Sequence, residues 1–148
     1  MTFDLDVLQQ QLEQLPTPTR YLIAYSGGMD SHVLLHAMAQ LSAQQRCAPC
    51  SAIHVDHGLQ ASSANWANHC ERICQQLAIP LHKVTLQLQI PKGASLEAVA
   101  RDARYAALAQ YLGDRQMLLT AQHTEDQAET VLLQLLRGAG IEGLVGMP

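Results

Sequence analysis

Compact apolar runs alternate along the chain with stretches in which apolar residues recur at helical spacing. Asp4 to Leu15 predicts a short leading helix, stopped by Pro16 and Pro18. Arg20 to Tyr25 is a compact apolar run that predicts a buried strand. Ser31 to Leu41 predicts a helix with Leu34, Leu35, Met38 and Leu41 turned inward. Ser51 to Val55 predicts a second strand, Ser63 to Leu77 a second long helix, and Leu81 to Leu86 a third strand. Leu96 to Leu112 predicts a helix with Leu96, Val99, Ala100, Ala103 and Ala107 on one face, ended by Gly113. Met117 to Ala121 predicts a fourth strand, and Thr124 to Leu136 a final helix closed by Gly138.

Strands separated by helices of this length imply crossovers and a parallel sheet with helices on both faces, an α/β fold. Ligands of such sheets bind outside the carboxyl ends of the strands. The expected strand order is three-two-one-four, with any fifth strand beyond four. This order brings the polar segments after strands one, two and four to one edge.

Composition narrows the class. The 148 residues are 48% hydrophobic and 15% charged, which is globular rather than disordered. No apolar run is long enough to span a membrane. Met1 to Leu15 carries Asp4, Asp6 and Glu13 and no Lys or Arg, so it lacks the basic start of a signal peptide. A cytoplasmic location is expected. The net charge of −4 argues against binding nucleic acid through a broad basic surface.

The four cysteines do not form a disulfide pattern. Cys70 and Cys74 share an apolar helical face with Trp66, Ile73 and Leu77 and are expected as buried thiols. Cys47 and Cys50 form one C-x-x-C around Pro49; no second one accompanies it, so the expectation is two thiols at the start of a strand, with a redox or metal role as the alternative. His32 and His36 lie four apart without an H-E-x-x-H motif and read as surface or packing histidines.

Candidate chemistry lies in three segments. Ser26-Gly27-Gly28-Met29-Asp30-Ser31 follows the first strand and opens a helix. Glycines let the backbone turn tightly and approach an anion, and the helix start offers open N–H groups and a favourable dipole. The alternative is an ordinary strand-to-helix turn with a serine cap. Asp30 would repel phosphate, which makes sense if Mg²⁺ bridges or if Asp30 orients a cationic substrate. The segment is neither G-x-G-x-x-G nor a Walker loop. His54 to Leu59 ends the second strand and lies where the base or ribose of a nucleotide would sit; the alternative is a polar turn with Gly58 at positive φ. His123 to Thr130 follows the fourth strand. Thr124 and Gln127 have capping-box spacing, and Glu125 and Asp126 would offset the helix dipole. Glu129 and His123 are not explained by capping, and Asp126, Glu129 and Thr130 share one polar face of the expected helix. Arg101 and Arg104 could reach an anionic ligand, although Glu97 is spaced to pair with Arg101.

The six residues from Ser26 to Ser31 resemble the SGGxDS loop of the N-type ATP pyrophosphatases. Four more stretches resemble the branch of that family that forms lysidine on isoleucine tRNA. They are His54 to Gln60, Gly93 to Leu108, Thr120 to Gly140 and Gly143 to Pro148. The chain departs from that pattern at Gln122, where the branch usually has His, and at Glu125, where it usually has Asp. The resemblance implies a leading helix and linker over residues 1–19. It implies a PP-loop ATP-binding domain over residues 20–148, ending before a fifth strand and C-terminal tRNA-binding domains. It further implies that ATP with Mg²⁺ adenylates C2 of the wobble cytidine in an isoleucine tRNA with a CAU anticodon. The amine of free lysine then attacks C2 and expels AMP. The ATP-binding candidates are then Ser26, Gly27, Gly28, Met29, Asp30, Ser31, Val55 and Arg104. The catalytic candidates are Asp30, His123, Asp126 and Glu129. Asp30, Asp126 and Glu129 are the candidates for holding lysine, and Asp30 for holding Mg²⁺. Expected partners are therefore the tRNA, lysine and ATP, with no membrane and with a homodimer left open. Two other readings remain: a cytidine-thiolating PP-loop enzyme, in which the C-x-x-C would serve a cofactor, and an adenine-nucleotide-binding module without chemistry.

Overall fold

The computed structural model describes the backbone of residues 4–58, 63–124 and 127–137, and the side chains of residues 4–58 and 64–121. Helix α1 (Leu5–Glu13) is capped by Asp4, whose carboxylate accepts from the Asp6 amide, and it buries Leu8 and Leu12. Strand β1 (Arg20–Ala24) is followed by α2 (Met29–Ala43), β2 (Cys50–Asp56), α3 (Ser63–Gln76), β3 (Leu81–Thr85), α4 (Leu96–Tyr111) and β4 (Gln116–Thr124). Each lies within a few residues of the element expected from the hydrophobic pattern.

Four strands are parallel in the order β3-β2-β1-β4, as the motif placement predicted. Ile23 of β1 faces Ala52 of β2 on one side and Leu119 of β4 on the other. Alternation along β1 divides the core in two. Tyr21, Ile23 and Tyr25 meet α1, α2 and α3 through Leu8, Leu34, Leu35, Met38, Cys70 and Cys74. Leu22 and Ala24 meet Tyr105 and Leu108 of α4 on the other face. Both faces are therefore covered, and β1 is buried on both, which is why its sequence is a continuous apolar run rather than an alternation.

Three expectations are corrected. The first concerns Thr124 to Leu136, which does not form a closing helix. Strand β5 (Gln127–Arg137) returns antiparallel along β4, from Thr124 facing Gln127 to Met117 facing Arg137, and makes the sheet mixed at this edge. The run Val131, Leu132, Leu133, Leu135, Leu136 satisfies either period, so periodicity alone did not decide it. Only two residues separate β4 from β5, and so short a link joins antiparallel strands only. The second concerns α4, where of the face Leu96, Val99, Ala100, Ala103 and Ala107 only Ala107 is fully buried, with Val99, Ala100 and Ala103 half-buried. Tyr105, Ala107 and Leu108 are its buried residues, and Leu96 is exposed. Burial is confined to the second half of this helix, where it crosses β1, β2 and β4. The third is Trp66, which does not share the burial of Cys70 and Cys74; it is 46% exposed, against 0% and 1% for the two thiols.

All four cysteines are free thiols, and Cys50 begins β2 as expected. Among the described residues no helix is long and apolar enough to cross a membrane.

Candidate functional site

The turn after β1 is held by serine hydroxyls. Ser31 Oγ accepts from the Ser26 amide at 3.1 Å, lies 3.0 Å from Ser26 Oγ, and donates to the Gly28 carbonyl at 3.2 Å. Ser26 Oγ accepts from the Gly28 amide at 3.2 Å. Gly27 takes φ +87°, a conformation costly for any residue with a Cβ. Helix α2 begins at once, with Gly28 as a cap that offers no side-chain hydrogen bond. Its first turn presents backbone amides at a helix N-terminus, the arrangement that binds phosphate. Asp30 stands half-buried in this first turn, and Met29 is exposed.

Beside this turn lies a cavity of about 720 Å³. It is bounded by Ser26 on the loop, by Val55, Asp56 and His57 at the end of β2, by Asn65, Trp66 and His69 on α3, and by Arg104 and Leu108 on α4. The size suits a nucleotide-sized ligand. Arg104 reaches it because Arg104 and Leu108 are one turn apart on the buried half of α4. Removal of its guanidinium from water lowers the Arg104 pKa, and among the described residues no carboxylate is paired with it. A partly dehydrated cation without a counter-charge is suited to an anionic ligand.

His54 and His57 differ in role. His54 is buried, and its Nδ1 donates to the Tyr25 carbonyl at 2.9 Å, joining the end of β2 to the residue before the phosphate-type loop. His57 has a buried Nδ1 without a hydrogen-bond partner among the described residues. Burial, then the charge of Arg104, lowers its pKa. Asp56 Oδ1 accepts from the Gly58 amide at 2.8 Å, and Gly58 takes φ +70°, so this carboxylate and glycine build the turn. On the far side of the loop, burial pushes Tyr25 up to about 12, so its hydroxyl stays protonated. It lies 3.1 Å from Nδ1 of His32, whose own pKa is lowered by burial and by His36.

The candidates named from sequence are thus distributed as follows. Ser26, Val55 and Arg104 line one cavity. Gly27, Gly28, Met29, Asp30 and Ser31 form the turn that opens from Ser26. His123 is on β4, four residues past Leu119, and Ser26 is three past Ile23, the partner of Leu119. The two therefore lie at the same edge of the sheet. Glu129 is on β5 rather than on a helix, so it does not share a helical face with Asp126, and Asp126 lies outside the described residues. Asn65, Trp66 and His69 were missed. The signal available was an asparagine, the chain's one tryptophan and a histidine within one turn, early in the helix that follows the polar end of β2.

The sequence model of the PP-loop domain matches residues 4–148. The chain belongs to the PP-loop family. Membership implies ATP binding. Among curated relatives, the tRNA(Ile)-lysidine synthase of Pseudomonas aeruginosa is 49% identical over 145 residues, covering 95% of this chain and 32% of that protein. The tRNA(Ile)-lysidine synthase of Coxiella burnetii is 47% identical over 146 residues, covering 99% of this chain and 32% of that protein. The chain thus spans about a third of the length of these relatives. Two solved structures share the fold. The NMN synthetase of Francisella tularensis has a TM-score of 0.54 at 14% identity, over 79% of this chain and 54% of its own. The U34-tRNA thiolase NcsA of Methanococcus maripaludis, described with a [4Fe-4S] cluster, has a TM-score of 0.51 at 15% identity, over 71% of this chain and 41% of its own.

Proposed function

We propose that this PP-loop domain belongs to an ATP-dependent ligase that joins lysine to C2 of the wobble cytidine of an isoleucine tRNA with a CAU anticodon. One observation carries the reading: relatives named tRNA(Ile)-lysidine synthase match nearly the whole chain at close to half identity. The geometry supplies what the first step needs. The open amides of the loop and α2 receive phosphate oxygens, and Arg104 supplies positive charge from the far wall of the cavity. The polar end of β2, with Val55, accepts the nucleoside. ATP would lie with its α-phosphate toward the edge shared by Ser26 and His123, where the cytidine O2 attacks and pyrophosphate leaves.

Mg²⁺ fits this site as a nucleotide-borne ion. It would be held by Asp30, the carboxylate in the loop, with the phosphate oxygens of the nucleotide completing its ligands. When bound it neutralises charge on the leaving pyrophosphate. In the second step Asp30, Asp126 and Glu129 hold the lysine ammonium, and His123 takes the proton as the amine attacks C2 and AMP leaves. The domain so defined runs over residues 20–148, preceded by the leading helix and linker, with tRNA-binding domains expected beyond it. The proposed reaction is a cytoplasmic one.

A thiolating enzyme of the same fold would need its cysteines near the adenylated base. Cys50 begins β2, at the opposite end of that strand from the cavity, and Cys70 and Cys74 are buried in the core. The test is incubation with ATP, Mg²⁺, labelled lysine and the isoleucine tRNA, followed by nucleoside analysis. Label in a modified cytidine supports the ligase; a sulfur-containing nucleoside formed from a sulfur donor, without lysine uptake, overturns it.

A further inference from the structure

Trp66 touches the phosphate loop in two ways at once. Its Nε1–H donates to the Ser26 carbonyl at 2.7 Å. Its six-membered and pyrrole ring atoms lie so close to Gly27 that a Cβ added there would meet them at 2.7 Å. The His69 ring stacks on the indole with centroids 5.2 Å apart and planes 24° from parallel, which narrows the positions the indole can take.

The consequence lies in the Ser26–Gly27 peptide. This peptide is trans, so its carbonyl and its N–H point in opposite directions across one rigid plane. Fixing the carbonyl on the indole fixes the Gly27 N–H on the other side. The amides of Ser26 and Gly28 are spent inside the loop, on Ser31 Oγ and Ser26 Oγ. Among the described residues the Gly27 amide has no acceptor, and it is the one loop donor before α2 left for a ligand. Glycine rotates its peptides with little steric resistance, so a carbonyl turned to the phosphate side is the competing arrangement; it would place oxygen against oxygen.

We infer that Trp66 is a positioning residue for the PP-loop, a latch that holds the Ser26–Gly27 peptide with its N–H presented to the pyrophosphate portion of ATP. This rests on the ATP-site reading above and adds to it a residue on α3 that selects one orientation of the loop. The indole is not itself a phosphate ligand, and the adenine is held elsewhere in the cavity.

The test separates pyrophosphate from nucleoside. Binding of inorganic pyrophosphate with Mg²⁺, and separately of adenosine, is measured by calorimetry for the unaltered chain and for Trp66→Phe, which keeps an aromatic ring but loses the N–H. Because Trp66 is nearly half exposed, the variant is expected to fold, and a retained cooperative melt checks this. The latch requires pyrophosphate affinity to fall roughly fivefold to tenfold with adenosine affinity unchanged. An equal or larger loss for adenosine would make Trp66 an adenine platform and overturn the inference, as would no loss for either. Failure of the unaltered chain to bind pyrophosphate would remove the ATP-site reading and the latch together.

Discussion

His54 Nδ1 donates to the carbonyl oxygen of Tyr25 at 2.9 Å, so a buried ring on β2 holds the last residue before the Ser26–Ser31 loop. The Tyr25 amide in turn donates to the Ile53 carbonyl at 2.9 Å. The loop therefore springs from a point fixed on both sides of one residue. Replacing His54 by Phe leaves the Tyr25 carbonyl buried without this donor. The expected cost is about 1–3 kcal/mol of stability, with weaker ATP binding because the start of the loop is released. Chemical denaturation and ATP titration of His54→Phe check both. Unchanged values for both would show that the β-ladder alone sets the loop.

Gly27 and Gly28 stand side by side but answer to different constraints. Gly27 has φ +87° and the Trp66 indole against it, whereas Gly28 has φ −74° and meets only Ser26 Oγ at 3.3 Å. Gly27→Ala is expected to destabilise by about 1–2 kcal/mol from backbone conformation alone, and to weaken ATP binding by displacing the indole. Gly28→Ala is expected to fold with near-normal stability. Thermal unfolding of the two variants tests this, and equal melting temperatures would contradict it.

Asp30 separates stability from chemistry. As an acid in the first turn of α2 it contributes about 0.3–1 kcal/mol through the helix dipole. Asp30→Asn should therefore melt near the unaltered protein. If Asp30 holds Mg²⁺ or the lysine ammonium, the same change lowers the rate of AMP formation by about a thousandfold or more. Steady-state rates alongside a melting curve decide it; near-normal AMP formation would reduce Asp30 to a capping residue.

The pH dependence of stability follows from His57 and His32. Both pKa values lie below the ordinary histidine value near 6.5, each chiefly because of burial. Below that value the unfolded chain takes up protons that the folded chain refuses, so stability falls as pH drops and is fully present above it. The loss continues until the lowered folded pKa values are reached. His57→Asn should flatten part of the slope below about pH 6.5, measured as unfolding free energy against pH. An unchanged slope would show that His57 does not carry this linkage.

Legibility from sequence followed burial and backbone chemistry. The parallel order β3-β2-β1-β4 was readable because β1, β2 and β4 are each apolar runs followed by polar residues. The turn at Gly58 and the loop from Ser26 to Ser31 were readable because each depends on local residue types. Val55 in the cavity was readable from its place at the end of the second strand, and Arg104 from its charge on the helix that packs beside it. Trp66 was misplaced because its spacing from Cys70 and Cys74 fits an apolar helical face, while its true contact is with Gly27, thirty-nine residues away in sequence. The stretch from Thr124 was misassigned because capping-box residues and an apolar run suit a helix as well as the antiparallel return of β5.

The proposed ligase activity turns on which group is adenylated. Exchange of labelled pyrophosphate into ATP is measured with the protein and Mg²⁺, adding isoleucine tRNA and lysine separately and together. Exchange is expected with the tRNA alone, none with lysine alone, and AMP rather than ADP once both are present. Exchange driven by lysine without tRNA, or formation of ADP and phosphate, would contradict it.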